Sequence, residues 1–383
     1  MHFSHNFSYI FLIINVITTP CITYAMIKNQ EINLLNGIHV AFLSDNTLAI
    51  ADSTYLLFYD IDNPELFQYL QYVNPIDDIA VNKTRSRLAV SYGGTVREYD
   101  TQTQSEISAY RTDQPFAPIT YTSQQDLLII QREDYNYLGF FEISAKRLAL
   151  DAPMYNKNRR TFITCHPQED KIIYIETQRN SLGTHPKALE RQYFYQLSII
   201  RNAVSQAIAM NKFFNAAEYQ YSPDAKYILI NQTCYGLTFK KSDKPFDNTC
   251  KLLLCNQSRH QEPLCDDINL QFPSATFYSS SAFFITLSRQ CILQYWKCES
   301  VLNSDDQNAP KPSYSMPLCT EETYIDTEAL QKRLSFSPDG TLLAVALPNK
   351  CLVLPVPTEV IASSFPPELT KIFLLILCTK NKA

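Results

Sequence analysis

The sequence predicts an all-β fold that is built from seven repeated units. A meander of strand, tight turn, apolar strand, turn and strand covers residues 333–357, and weaker copies of it recur along most of the chain. The composition agrees, because 24 Tyr and 22 Phe stand against only 7 Gly among 383 residues. Bulky aromatic residues suit strands, and so few glycines disfavour glycine-rich cofactor loops.

The clearest unit is the one at residues 333–357. Leu334 and Phe336 alternate with polar neighbours, as on a strand with one buried face. Ser337–Gly340 then forms a tight turn in which proline presets φ, aspartate bonds the backbone and glycine takes the unusual dihedral. The apolar run Thr341–Leu347 is typical of an inner strand that is covered on both faces.

The other six units repeat this order, which is the pattern of a repeat architecture. By subtraction, successive turns are 38, 41, 44, 55, 57 and 58 residues apart. The first three spacings fit a four-stranded blade of roughly 40–45 residues, and the last three fit a blade plus an insertion. Seven such blades can close into a ring that leaves no long exposed sheet edge. The predicted turns begin at Ser44, Asn82, Ser123, Pro167, Ser222, Ser279 and Ser337.

The turns and the ends of the third strands carry recurring residues. Ser337–Gly340 and Ser222–Ala225 both begin Ser-Pro-Asp, and Cys165–Pro167 reads Cys-His-Pro. Tyr59-Asp60 and Tyr99-Asp100 end the third strands of the first two units. In these features the chain resembles the WD-repeat β-propeller family over residues 30–356, with Tyr-Asp standing where the family has Trp-Asp.

The resemblance has departures that bear on the expected structure. No Gly-His dipeptide precedes any unit, and the single Trp296 is followed by Lys297. The family's Asp-His-Ser-Trp hydrogen-bond network is therefore not expected to be complete. The resemblance implies a β-propeller of seven four-stranded blades, with six or eight blades as alternatives. It also implies that one blade is completed by a terminal strand, either Glu31–Leu35 or Thr370–Leu377, within which Ile372–Leu377 is the more apolar candidate.

Residues 1–25 are predicted to be a cleaved signal peptide. Tyr9–Ile17 is an apolar block, and Thr23 and Ala25 are the small residues that cleavage after Ala25 requires. The block is too short to span a bilayer as a helix, and no Lys or Arg precedes it, so a buried amino-terminal strand is the alternative. We expect residues 26–378 to form one propeller with a tail at 379–383, exported to a periplasm or secreted, and cytoplasmic if no signal exists. A stable membrane anchor is not expected.

The net charge of −5 and the pI of 5.7 argue against a nucleic-acid binder, which would need a basic face. Removal of Cys21 would leave ten cysteines, and seven of the eleven lie between Cys234 and Cys319. This cluster is compatible with disulfide bonds and also with free thiols in the core. No C-x-x-C or common zinc spacing occurs, so no metal site is predicted.

No catalytic or cofactor-binding residue is predicted. The sequence contains no G-x-G-x-x-G, P-loop, G-x-S-x-G or H-E-x-x-H motif. We expect His166 to have a structural role in its turn. Asp77 and Asp78 are adjacent on a strand, so they point to opposite faces and are expected to bond backbone groups where the strand begins.

Three insertions carry the functional prediction: 178–192, 236–250 and 299–331. We expect the first two to separate second from third strands in neighbouring blades, and thus to lie side by side on one rim. A locally basic rim on an acidic protein favours an acidic partner surface. The predicted partner-binding residues are Arg179, His185, Lys187, Arg191, Lys240, Lys241 and Lys244.

The sequence therefore favours a monomeric, non-enzymatic scaffold that binds protein partners through these loops. The alternative is an exported propeller enzyme, or a small-ligand or metal-binding propeller of the lactonase-like kind. Such a protein would need polar residues that converge from several blades, and the units share no repeated His, Asp or Glu at one position.

Overall fold

A computed structural model describes most of the chain between residues 30 and 363. The described ranges are 30–33, 37–65, 67–111, 116–123, 127–133, 137–144, 146–153, 162–169, 171–179, 190–198, 203–210, 217–232, 236–241, 251–253, 274–288, 291–302, 311–318, 333–348 and 350–363. Within them lie 28 strands and two short helices, α1 (Cys298–Leu302) and α2 (Thr358–Ala362).

The described strands form seven antiparallel sheets of four strands, which we number in chain order. Sheet 1 contains β2 (Gly37–Phe42), β3 (Thr47–Asp52), β4 (Tyr55–Asp60) and β5 (Phe67–Gln71). Sheet 2 contains β6 (Ile76–Val81), β7 (Arg87–Tyr92), β8 (Thr95–Asp100) and β9 (Glu106–Arg111). Sheet 3 contains β10 (Phe116–Tyr121), β11 (Leu127–Glu133), β12 (Tyr137–Glu142) and β13 (Arg147–Pro153).

The other four sheets repeat this order. Sheet 4 contains β14 (Phe162–Cys165), β15 (Lys171–Arg179), β16 (Glu190–Ser198) and β17 (Ala203–Met210). Sheet 5 contains β18 (Ala217–Tyr221), β19 (Tyr227–Gln232), β20 (Gly236–Lys241) and β21 (Lys251–Leu253). Sheet 6 contains β22 (Ser274–Phe277), β23 (Phe283–Leu287), β24 (Ile292–Lys297) and β25 (Tyr314–Pro317). Sheet 7 contains β26 (Leu334–Phe336), β27 (Leu342–Leu347), β28 (Lys350–Pro355) and, from the start of the described chain, β1 (Gln30–Asn33).

The sheets are arranged as a ring around their first strands. The first strand of each sheet contacts the first strand of the next, and β26 of sheet 7 contacts β2 of sheet 1. The apolar cores lie between adjacent sheets, for example between sheets 7 and 1 around Phe42 and Val353. The predicted all-β propeller is confirmed.

The ring is closed by the amino-terminal strand. β1 pairs antiparallel with β28, with Ile32 opposite Cys351, so it is the outer strand of sheet 7. Ile32 is buried in the core between sheets 7 and 1, and Glu31 forms an ion pair with Lys350 at 3.3 Å. Of the two predicted closing segments, Glu31–Leu35 is the correct one, since β1 covers Gln30–Asn33. The preference for Ile372–Leu377 is wrong, because β1 already pairs with the free edge of β28. Residues 372–377 lie outside the described residues.

One turn conformation joins the first and second strands in at least four sheets. Its fourth residue has a positive φ, 56° at Arg85, 61° at Ala225, 60° at Ser281 and 73° at Gly340. In each case the N–H of this residue donates to the carbonyl oxygen of the first turn residue. A left-handed backbone conformation favours glycine, yet Gly340 is the one glycine among these four.

The first turn residue supplies a side-chain acceptor. Ser337 Oγ accepts the N–H of Leu342 at 2.9 Å, and Ser222 Oγ accepts the N–H of Tyr227 at 2.9 Å. In sheet 4, His166 Nδ1 accepts the N–H groups of Gln168 and Glu169 at 3.3 and 3.1 Å. The predicted structural role of His166 is therefore confirmed.

The third strands end in the predicted register. Tyr59, Tyr99 and Trp296 occupy equivalent positions, opposite the second residue of their second strands. Asp60 and Asp100 follow, and each accepts two backbone N–H groups of the next turn. In sheet 6 the Trp296 Nε1–H donates to Thr286 Oγ1 at 3.0 Å.

The closing strand yields a stability prediction. Ile32→Ala removes apolar contacts between sheets 7 and 1, so we expect it to lower the free energy of unfolding by about 2 kcal/mol. Glu31→Gln, on the same strand, breaks only an exposed ion pair and should cost less than about 1 kcal/mol. Chemical denaturation of the two variants measures both values. Equal stabilities would contradict closure by β1.

The same strand covers a thiol. Burial raises the pKa of Cys351 to about 12, so the thiol is protonated and inaccessible at neutral pH. Deletion of residues 30–33 should expose it, and alkylation of Cys351 should become fast when it is followed by peptide mapping. Slow alkylation in the deletion variant, with the fold retained, would show that β1 does not cover sheet 7.

The turns predict opposite effects for exchanging glycine and alanine at the residue with positive φ. A Cβ atom on Gly340 would lie 2.6 Å from Tyr278 Oη, in addition to the left-handed φ, so Gly340→Ala should destabilise by about 1 kcal/mol or more. Ala225→Gly relieves a left-handed alanine in the equivalent turn and should raise the melting temperature or leave it unchanged. A lower melting temperature for Ala225→Gly would refute this account of the turn.

Candidate functional site

The structure describes four of the seven residues of the predicted basic rim, and these four do not lie together. Arg179 ends β15 and Arg191 lies in β16, where the register pairs Arg179 with Glu190 and Gln178 with Arg191. The connection between the two strands is thus 180–189. His185, Lys187 and Lys244 lie outside the described residues.

The structure contradicts the prediction that residues 236–250 form one insertion. Residues 236–241 form β20, the third strand of sheet 5, which pairs with β19 through Ile228–Lys240 and Tyr227–Lys241. The insertion is therefore 242–250, between the third and fourth strands. The sequence Gly-Leu-Thr-Phe lacks the strong apolar character of the other inner strands, so the apolar pattern alone does not predict a strand there.

This correction separates the two basic groups. In an antiparallel four-stranded meander, the turn after the second strand and the turn after the third strand lie at opposite ends of the sheet. The first strands of sheets 4 and 5 contact each other and begin the same order in both sheets. Arg179 and Lys241 therefore lie at opposite ends of neighbouring sheets.

The third predicted insertion, 299–331, contains regular structure. Its first residues belong to α1, and Tyr314–Pro317 form β25, the outer strand of sheet 6. Tyr314 is exposed and packs edge-on against the buried Tyr295, with ring centroids 5.8 Å apart. This segment completes a sheet, which its proline-rich composition had concealed.

The acidic pair Asp77-Asp78 bonds backbone, as predicted. Asp77 Oδ2 accepts the N–H of Gly93 at 3.1 Å, and Asp78 accepts the N–H groups of Ile79 and Ile119 at 2.8 and 3.0 Å. Burial raises the pKa of Asp77, the Gly93 N–H lowers it, and the neighbouring Asp78 raises it. Because Ile119 lies in sheet 3, Asp78 holds sheet 2 against sheet 3.

Arg85 forms a second contact between sheets. Its guanidinium donates to the carbonyl oxygen of Phe42 at 2.6 Å and to that of Phe336 at 3.4 Å, and so joins the first strands of sheets 1 and 7 to the turn of sheet 2. Burial lowers its pKa, and the Asp45 carboxylate opposes that shift. Asp45 in turn accepts the N–H of Asp339 at 2.8 Å. These groups hold the turns of three sheets together.

A buried glutamate was missed by the sequence analysis. Glu98 is buried and accepts Tyr121 Oη–H at 3.0 Å and Ser108 Oγ–H at 2.7 Å. Burial, followed by the adjacent Glu98 charge, raises the pKa of Tyr121. Glu142, also buried, lies opposite Leu128, the second residue of β11, whereas Glu98 lies opposite Ala89, the third residue of β7, so Glu142 does not occupy the Glu98 position. Sheets 1, 6 and 7 have Phe58, Tyr295 and Val353 there, so the acid is not shared around the ring.

The outer strand of sheet 1 exposes aromatic side chains. Phe67 and Tyr69 on β5 are 56% and 63% exposed, although they occupy regular strand positions opposite Tyr59 and Leu57. Tyr55 packs edge-on against Tyr69, with ring centroids 6.3 Å apart. Exposed aromatic residues in a strand are informative because such side chains are normally covered.

Sheet 1 is also strongly acidic. No Lys or Arg occurs between residues 29 and 82, whereas this stretch contains eight carboxylates. Three of them precede β5: Asp60 at the end of β4, and Asp62 and Glu65 in the turn that follows. The absence of basic residues is visible in the sequence, although the modest net charge of the whole chain conceals it.

The described residues contain neither a metal-binding group nor a membrane-spanning helix. No group of three or more His, Cys, Asp or Glu side chains in the described ranges is placed to hold a metal ion. No helix in this part of the chain is long and apolar enough to cross a membrane. Cys298 and Cys351 are buried free thiols. Five cysteines of the cluster lie outside the described residues: Cys234, Cys250, Cys255, Cys265 and Cys319.

Comparisons with known proteins support the fold. No protein-family model and no curated protein matches the chain. Among solved structures, U3-55K has a TM-score of 0.62 at 8% identity, covering 86% of this chain and 98% of that one. The Cps50 (Swd1) β-propeller domain of Myceliophteria thermophila has a TM-score of 0.58 at 10% identity, with coverages of 86% and 98%. Hydrazine synthase of Kuenenia stuttgartiensis has a TM-score of 0.59 at 13% identity, with coverages of 84% and 96%.

These similarities establish the propeller fold and no more. The neighbours include WD40 β-propeller domains, Swd1 and U3-55K, together with a hydrazine synthase. Identities of 8–13% are too low to transfer function.

The Arg85 contact gives a further prediction. Arg85→Met removes both hydrogen bonds to the neighbouring first strands, so we expect it to lower the free energy of unfolding by about 2 kcal/mol. Lys83→Met changes an exposed residue of the same turn and should have little effect. Chemical denaturation compares the two variants, and equal stabilities would show that the guanidinium does not hold the sheets together.

Proposed function

We propose that the protein is a non-enzymatic scaffold that binds protein partners through connections at the ends of its sheets. The observation that supports this proposal is the use of its polar side chains. Asp78, Arg85 and His166, which are candidates for chemistry by residue type, each bond backbone groups that hold turns or neighbouring sheets. A rigid frame with variable connections is suited to presenting surfaces.

The basic residues define two contact regions in this proposal. Arg179 at the end of β15 and Arg191 in β16 adjoin the connection that contains His185 and Lys187. Lys240 and Lys241 end β20 and adjoin the connection that contains Lys244. Because the two regions lie at opposite ends of their sheets, they serve different partners or different parts of a large acidic partner.

Export is part of the proposal. Cleavage after Ala25 would leave only residues 26–29 before β1, the strand that closes the ring. If the signal is removed, the intact mass of the protein from its native cells should correspond to a chain that begins at Met26. A mass that corresponds to a chain beginning at Met1 would contradict export and favour the cytoplasm.

A ligand-binding or enzymatic propeller is the alternative, and the hydrazine synthase neighbour is the observation in its favour. A resident metal or ligand that binds only the folded state raises the melting temperature. Titration with calcium and with first-row transition metals therefore separates the two functions. A large rise would favour the alternative, and no change would favour the scaffold.

The scaffold proposal predicts separable partner contacts. Replacing residues 180–189 with a short Gly-Ser turn should abolish capture of one crosslinked partner from native cells, and replacing 242–250 should abolish another contact. Mass spectrometry identifies what each form captures. Replacement of residues 102–104, a turn between third and fourth strands in sheet 2, is the control. Capture of the same partners by all forms would refute binding through these connections.

A further inference from the structure

We propose that the outer edge of β5 in sheet 1 binds an extended, basic segment of a partner protein by strand addition. This surface is distinct from the two basic regions, and the inference goes beyond the proposed function because it names another site and the opposite charge. Three independent features of sheet 1 support it: an open backbone edge, two exposed aromatic side chains and an acidic sequence that leads into β5.

The backbone edge of β5 is available for pairing. β5 is the last strand of sheet 1, with β4 on its inner side. The N–H of Tyr72 donates to the carbonyl oxygen of Thr54 at 2.8 Å, which extends the pairing of β5 with β4 by one residue. Because inward and outward bonding alternate along an antiparallel strand, Phe67, Tyr69 and Gln71 point their N–H and C=O groups away from β4.

The same residues carry the exposed aromatic side chains. Phe67 and Tyr69 lie on one face of the strand, two residues apart, with most of their ring surface in solvent. A partner strand that bonds their outward backbone groups would therefore place alternate side chains against the two rings. Edge hydrogen bonds with side-chain contacts at every second residue are the recognition mode of strand addition.

β5 lacks the features that normally protect a sheet edge. Charged residues and proline block edge pairing, and β5 has neither in the sequence Phe-Gln-Tyr-Leu-Gln. β9 begins with Glu106 and ends with Arg111, Pro317 ends β25, and Glu31 lies on β1. Among the described outer strands, β17 also lacks charge and proline.

The charge around β5 selects the partner. Asp60, Asp62 and Glu65 directly precede the strand, and the whole stretch from residue 29 to residue 82 has no Lys or Arg. A basic segment would gain from this field in both affinity and association rate. A second copy of this chain is disfavoured, because pairing two β5 edges would bring two such acidic stretches together.

The test uses a defined probe, a fluorescently labelled peptide of four Val-Lys repeats, and the full-length protein. We expect saturable binding by fluorescence anisotropy that weakens as salt increases. The matched peptide with glutamate in place of lysine should not bind. Equal binding of both peptides, or no saturable binding of the lysine peptide up to about 1 mM, near the weak limit of specific association, would overturn the proposal.

Variants locate the site. Gln71→Pro removes an outward N–H without disturbing the pairing with β4, and it should weaken binding about fivefold relative to Gln71→Ala. The double variant Phe67→Ala and Tyr69→Ala should weaken binding by about tenfold or more. Tyr314→Ala, at an exposed aromatic residue of the outer strand of sheet 6, is the control and should bind normally. Equal affinity of the β5 variants and this control would overturn the site.

Two further measurements distinguish the remaining outcomes. Protein with residues 180–189 and 242–250 replaced should bind the peptide normally, so failure of the scaffold proposal would leave this result intact. Sedimentation measures self-association. If the protein forms dimers that Gln71→Pro dissociates, and the peptide does not bind, then a second copy is the occupant and the proposed basic partner is wrong.

Discussion

The pairing of β1 with β28 is the constraint on which the ring depends. Each apolar core lies between two neighbouring sheets, so a sheet is covered on both faces only when the ring is complete. The four residues of β1 supply the missing outer strand of sheet 7, and Ile32 extends the core that sheets 7 and 1 share. Without this strand, the edge of β28 and the core around Cys351 would be open to water, and the seam between the first and last sheets would lose its outer part.

Hydrogen bonds near the turns add a second level of organisation. The positive φ at the fourth turn residue directs the chain into its second strand, and several turns then bond the adjacent sheet. Asp339 bonds Asp45 of sheet 1, Asp224 bonds Ser281 of sheet 6, and Tyr278 bonds the carbonyl oxygen of Gly340. Arg85 has a left-handed backbone conformation, which is unfavourable for a residue with a Cβ atom. From this turn its guanidinium donates to backbone carbonyls of sheets 1 and 7. Polar residues that look reactive in the sequence are thus committed to holding sheets in place.

The repeats were predictable because they rest on short-range chemistry. The alternation at Leu334 and Phe336, the Ser-Pro-Asp turns and the Tyr-Asp pairs each act over a few residues, and they lie where the spacing predicts. His166 and Asp78 were also assigned correctly, since their roles follow from position in a turn or at the start of a strand. The candidate site was harder to predict from the sequence. The sequence predicts a loop at Lys240 and Lys241, whereas the structure pairs them with β19.

The sequence by itself determined the strands, their turns and the repeated order, because these depend on neighbours along the chain. The tertiary structure decided which terminal segment closes the ring, since Ile32 must fit a core whose sheet 7 residues lie more than three hundred positions away. It also decided which aromatic residues remain exposed. Phe67 and Tyr69 have the same chemical character as the buried Tyr59, and only the packing of neighbouring sheets distinguishes them. Local patterns encode the elements, while exposure and contact between sheets arise from long-range packing that no short stretch of sequence contains.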